Sequence, residues 1–190
     1  MTTFPHRSLT HPKVSDRDYK RFLRFPPRRA FEGPLAENAA WARTWFAKHA
    51  RPWLVVTAAD AALAPRLSGQ FPGETEFLLI AASAGAEAEA EAAARWEAGE
   101  PDRYFFLECF ASAAVEALLT EARRLAGARI HRCPGFPGWS IDDNRPLLAS
   151  LQGNLPLPGP LEVLTSGMLR PKKSQLAVCP SRDCHRAQVL

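Results

Sequence analysis

At 190 residues the chain is long enough to bury a substantial core and short enough to read as one domain. Apolar residues make up 46% and charged residues 23%, the proportions of a globular protein rather than a disordered one. The net charge is +4, and no apolar run is long enough to span a bilayer or form a signal-peptide core, so a cytoplasmic protein with no membrane contact is expected.

Residues 1–29 carry eight Lys or Arg against two acids. Their scattered spacing and Pro26-Pro27 read as a solvated basic arm over residues 1–34. The expectation is no nucleic-acid binding; a basic surface can equally steer an acidic protein partner. From Leu35 to His49 the pattern becomes helical, with Trp41, Trp45 and Phe46 on one side. Pro52 ends it, and Trp53–Thr57 reads as a buried strand. Residues 60–73 are mixed, with Pro and Gly punctuation, and Phe77–Ala81 is a second strand.

The Ala/Glu run after Gly85 alternates as a strand would. Both residue types are strong helix formers, so a helix anchored by Trp96 and ended by Gly99 is predicted. A longer helix follows from Asp102 to Leu125. Phe105, Phe106, Cys109, Ala113, Leu118 and Leu119 form its apolar side, and Gly127 stops it. After the stiff loop His131–Trp139, Asp142 or Asp143 can cap a short helix through Leu151, with Pro146 in its first turn. Leu161–Ser166 and Ser174–Val178 read as two strands joined by Gly-Met-Leu-Arg-Pro-Lys-Lys. Helices and strands mix without regular alternation. This predicts an α+β fold, a single domain over residues 35–190 with a twisted mixed or antiparallel sheet flanked by helices.

Three segments offer chemistry. In Leu107–Glu116, small residues permit close approach of a flat ligand, and Glu116 is either solvated or placed for a cationic group. In Ile130–Trp139, Gly135 permits close backbone approach, Phe136 and Trp139 present aromatic faces, and Arg132 can meet a carboxylate bidentately. The same loop can equally be a stiff turn whose aromatics fill the core. In Leu164–Ser174, Met168 and Leu169 pack, while Arg170, Lys172 and Lys173 form a basic turn. Of the four cysteines, Cys109 reads as a core residue. Cys179, Cys184 and His185 lie close enough to suggest a metal, but a structural zinc needs four ligands and no second pair of matching spacing exists. No metal site is expected, and a redox or metal role for Cys133, Cys179 and Cys184 is the weakest reading.

The order Val115-Glu116, Pro134-Gly-Phe-Pro-Gly-Trp139 and Leu164-Thr-Ser-Gly-Met-Leu-Arg-Pro-Lys-Lys-Ser174 resembles the activation domain of cobalamin-dependent methionine synthase, in its free-standing form. The resemblance covers roughly residues 75–180. It implies binding of S-adenosylmethionine and reactivation of a corrinoid methyltransferase in trans. A methyl group from that ligand and one electron, from a flavodoxin-type or iron–sulfur donor, would restore methylcobalamin, with cobalamin supplied by the partner protein. By position, Glu116 matches the helix carboxylate that holds the ligand's cationic amino-acid end. Cys133, Pro134 and Gly135 match the loop gripping the adenosyl part, and Phe136 matches an aromatic near the cofactor. His131 stands where the family has Arg, with Arg132 one place later, and Phe136 replaces a Tyr. The resemblance therefore also allows a docking module for a corrinoid or redox protein that no longer binds S-adenosylmethionine. No catalytic side chain is implied, because the protein supplies proximity and orientation. The ligand-binding reading requires Glu116 to face the Pro134-Gly135 bend across a shared hollow.

Overall fold

A computed structural model of the protein describes residues 5–9 and 11–181. The main sheet has four antiparallel strands in the order β1-β2-β3-β6: β1 (Pro5–Leu9), β2 (Trp53–Ala58), β3 (Phe77–Ser83) and β6 (Ser174–Pro180). Strand β2 pairs with β3 from Trp53↔Ser83 to Ala58↔Leu78, and β3 pairs with β6 from Phe77↔Pro180 to Ser83↔Ser174. Both central strands are apolar along nearly their whole length because both faces of the sheet are covered.

One face carries Leu54, Val56, Leu78, Ile80 and Ala177. It packs under α1 (Asp16–Phe22), α2 (Pro34–His49), α4 (Ala86–Glu97) and the long α5 (Pro101–Ala126), which touches the other three helices and three of the strands. The other face carries Trp53, Val55, Leu79, Leu176 and Val178. It is covered by α3 (Ala64–Ser68), α6 (Asn144–Asn154) and the hairpin β4 (Glu162–Val163) and β5 (Leu169–Arg170). The result is a layered α+β domain, as the sequence predicts. Gly127 closes α5 in the left-handed conformation (φ 63°), where its N–H reaches the last-turn carbonyls. Among the described residues no helix is long and apolar enough to cross a membrane.

Three expectations are corrected. Residues 14–31 are not a solvated arm: Tyr19 is 0% exposed, and Val14, Phe22, Phe25 and Phe31 pack against the core under α5. Leu161–Ser166 and Ser174–Val178 are not partners. Strand β4 forms a two-residue hairpin with β5, whereas β6 belongs to the main sheet. Neither Asp142 nor Asp143 caps the helix with its side chain. Ser140 accepts from the Asp142 N–H and starts a short 3₁₀ turn (Ile141–Asp143) that leads into α6. The Asp143 carboxylate instead accepts from Trp139 Nε1 at 2.6 Å and pairs with Arg66.

Candidate functional site: a charged groove along α5

The stretch after α5 meets the main sheet through a single antiparallel bridge to β6. Arg132 makes a two-way backbone bridge to Val178 of β6, N to O at 2.9 Å and O to N at 2.8 Å. Directly opposed residues in such a pair share a face, and their neighbours point to the other one. Arg132 therefore lies on the Val178 side, where its Nη1 donates to the carbonyl and side-chain oxygens of Gln70, both at 3.1 Å. His131 and Cys133 turn the opposite way, toward α5, and Cys133 joins the core cluster beneath that helix.

Glu116 stands on the same side. Its charge acts on both His131 and Cys133, so the helix carboxylate and the two alternate residues of the edge segment share one electrostatic environment. The Glu116 side chain is 40% exposed and loosely paired with Arg21 at 3.9 Å. At that exposure the pair contributes little stability and leaves the carboxylate available. Burial and the neighbouring Arg123 push the His131 imidazole below its usual range, with Glu116 opposing, which favours the neutral ring.

A groove of about 890 Å³ opens beside Glu116, between α5 and the N-terminal segment. Its floor includes Leu54, Ala113, Ala117 and Leu118. Its walls carry cations (Lys13, Arg21, Arg123, Arg124) and anions (Asp18, Glu116, Glu121). Apolar floor and mixed-charge walls suit a ligand with a flat apolar body and a zwitterionic end. A second groove of similar size, about 880 Å³, lies across the fold between α4 and the segment around Leu155–Leu161, and is predominantly apolar.

The bend Pro134–Gly138 lies beyond this groove's walls. Gly135 adopts φ +89°, its N–H donates to the Trp139 carbonyl at 3.0 Å, and Trp139 is buried on the far face of the sheet. The loop thus passes round the sheet edge. Residues 131 and 133 serve the α5 side, and Trp139 fills the opposite core. Of the expected site residues only Glu116 lines this hollow; His131, Arg132, Cys133, Pro134, Gly135 and Phe136 do not, so the carboxylate does not face the Pro134-Gly135 bend across a shared cavity, and a ligand here would meet Glu116 and the N-terminal segment instead of the loop. The N-terminal wall, with Lys13, Asp18 and Arg21, carries no local signal in the sequence, because only packing of that segment under α5 brings these charges to the groove.

Beyond the edge, Phe136 (44% exposed), Ile141 (36%) and Met168 (54%) project from neighbouring turns. They are brought together by two left-handed glycines, Gly135 and Gly167, each of which approaches Ile141. A Cβ at Gly167 would stand 3.0 Å from Ile141 Cγ2 on a backbone at φ +81°. Gly167→Ala is therefore expected to cost about 2 kcal/mol. Urea denaturation checks this, and a loss below 0.5 kcal/mol (about the noise for surface changes) would show that the turn relaxes freely. Cys184 and His185 lie outside the described residues.

Burial holds the Cys133 thiol up to about 12 and the Cys109 thiol up to about 11. Unfolded thiols ionise near pH ~8.5, so above that pH the native protein retains protons that the unfolded chain loses. Stability is unaffected below that pH and falls as pH rises from there toward 11, with a slope of up to about 1.4 kcal/mol per pH unit for each thiol. Urea midpoints at successive pH values measure the slope. Peptide mapping after iodoacetamide should find both thiols unmodified in the native protein and modified in urea. Rapid native labelling of Cys133 would show it open to solvent.

Fold and groove together define a layered α+β domain with a mixed-charge cleft along its central helix. A crystal structure of the MetH reactivation domain bound to AdoHcy has the same fold. The two superpose with a TM-score of 0.59, over 94% of this chain and 78% of that one, at 13% sequence identity. No protein-family model and no curated protein sequence matches the chain. At this identity the likeness establishes architecture, and the site must be argued from this chain's own residues.

Proposed function

We propose that this protein binds S-adenosylmethionine in the α5 groove and presents it, in trans, for reductive methylation of a partner corrinoid protein. The observation that carries the reading is the Glu116 carboxylate, accessible in a groove with an apolar floor, within a fold shared with a domain that binds AdoHcy. A carboxylate suits the ligand's ammonium or sulfonium charge, and Ala113 and Ala117 leave room for a flat ring. Cobalamin would arrive with the partner and supply the methyl acceptor. The apolar turns bearing Phe136, Ile141 and Met168 are this chain's candidate contact for that partner. Here the chain's task is binding and orientation, which need no general base.

Titration calorimetry with S-adenosylmethionine tests the reading. Micromolar binding is expected, weakened at least tenfold in Glu116→Ala, a loss of about 1.4 kcal/mol or more. No heat at millimolar ligand would remove S-adenosylmethionine from the function and leave the docking module. The turn of Arg132 toward Gln70 is the observation that favours that alternative.

A further inference from the structure

We infer that the apolar groove between α4 and the 155–161 segment receives Trp96 of a second copy of this chain, so that two copies pair through antiparallel α4 helices. The inference is independent of the ligand reading, because this surface shares no residue with the α5 groove or with the turns that carry Phe136, Ile141 and Met168.

In the groove, Leu155, Leu157, Pro160, Leu161 and Pro171 stand beside Ala86 and Ala90 of α4. An open apolar hollow of about 880 Å³ takes a large apolar side chain, and contiguous apolar surface of this kind marks an interaction site. The chain carries such a side chain on the same helix. Trp96 is 63% exposed, the most of any large hydrophobic residue among those described. Its ring rests against Tyr104 with centroids at 5.3 Å, and the Lys172 ammonium lies over that tyrosine. An indole already held on one side loses little freedom when its other side docks.

The geometry is self-complementary. Ala86, Ala90, Ala93 and Glu97 follow one another at helical spacing, with Glu89 and Trp96 alongside, so groove and indole lie on one face of α4. The indole stands about 12 Å along the helix axis from the middle of the groove's helical wall. A two-fold axis midway between them falls beside the exposed Ala93, whose small side chain lets the two helices approach. That axis brings each Trp96 to the other copy's groove at once and closes the pair. The charges agree with this arrangement. Arg170, on the groove's rim, is 61% exposed and held by Glu162 only at 3.7 Å. Glu97, next to Trp96, makes no ion pair among the described residues, and the nearby Arg95 is taken by Glu91 and Glu100. In the pair, Glu97 of each copy approaches Arg170 of the other, beside the docked indole.

Sedimentation velocity on the full chain, from about 1 to 300 μM, tests the pairing, since so short an interface implies a micromolar dissociation constant. The wild type should pass from the 21.0 kDa monomer to twice that mass across this range. Trp96→Ala should weaken association about tenfold or more, and Phe136→Ala, on the other exposed apolar patch, should leave it within about twofold. Glu97→Arg and Arg170→Glu should each weaken it about threefold or more, and the double variant should return to within about twofold of wild type. Circular dichroism confirms that each variant is folded. A wild type that stays monomeric throughout, a dimer indifferent to Trp96→Ala, or one lost in Phe136→Ala would each overturn the pairing and leave the groove to another occupant. Charge-variant losses that add instead of cancelling would overturn the antiparallel arrangement.

Discussion

Replacing Tyr19 with Ala is expected to lower the unfolding free energy by about 4 kcal/mol, the cost of emptying a fully buried aromatic site. The ring is 0% exposed and lies edge-on to Phe106 and Phe110, with centroids at 6.3 and 5.0 Å. Phe31 packs against it at 5.8 Å, and the Arg43 guanidinium lies 4.9 Å from its centroid. Its hydroxyl donates to the Phe106 carbonyl at 2.9 Å, tying α1 to α5. Tyr19→Phe keeps the ring and loses only that bond, so it should cost about 1 kcal/mol. Urea denaturation of both variants separates packing from hydrogen bonding. A cost below 1 kcal/mol for the Ala variant would show that α1 is an appendage. The experiment bears on the groove as well, because α1 and the residues just before it form its N-terminal wall.

Asp143→Ala is expected to cost about 3 kcal/mol, at the upper end for a buried acceptor whose partners lose their bonds. The carboxylate is nearly enclosed, accepts from the buried Trp139 indole and pairs with Arg66 of α3. Beside it the buried Asn144 donates to the Gly167 carbonyl at 2.9 Å. These bonds lock the 134–139 loop, the start of α6 and the β4–β5 turn into one unit carrying Phe136, Ile141 and Met168. Removing the carboxylate leaves an indole N–H buried without an acceptor and frees the loop. Asp143→Asn retains an acceptor oxygen and should cost about half as much. Thermal or urea melts give the energies, and the near-ultraviolet dichroism of Trp139 reports the loop. Unchanged stability in Asp143→Ala would make the network incidental.

Much of the secondary structure was legible because its causes are local. Helical apolar spacing in Phe106–Leu119, the left-handed stop at Gly127 and the continuous apolar runs of β2 and β3 each announce an element within a few residues. The Ala/Glu segment forms a helix, as propensity requires over its alternating pattern. What was missed depended on distant partners. Val14, Tyr19, Phe22, Phe25 and Phe31 are few and diluted among Arg and Pro, and only α5 lying above them makes them core. The 174–180 strand looked like the mate of its sequence neighbour, but seven consecutive pairings with β3 outweigh a two-residue alternative.

The candidate site divides along the same line. Glu116 on an apolar helix stood out because a carboxylate there breaks the periodicity. Thr120 and Arg123 follow it at helical spacing and line the same groove. The loop residues could not be assigned to a side, because a period of two sends neighbours to opposite faces and says nothing about which is which.

From the sequence alone follow the helices, the central strands, the mixed α+β class and one conspicuous carboxylate, all of which rest on short-range stereochemistry and apolar spacing. Tertiary structure alone decided that the N-terminal residues belong to the domain, that Arg132 faces Gln70, and that His131 and Cys133 face α5. The physical reason is register: the bridge between Arg132 and Val178 joins residues far apart in the chain, and a slip of one position would have exchanged the two faces.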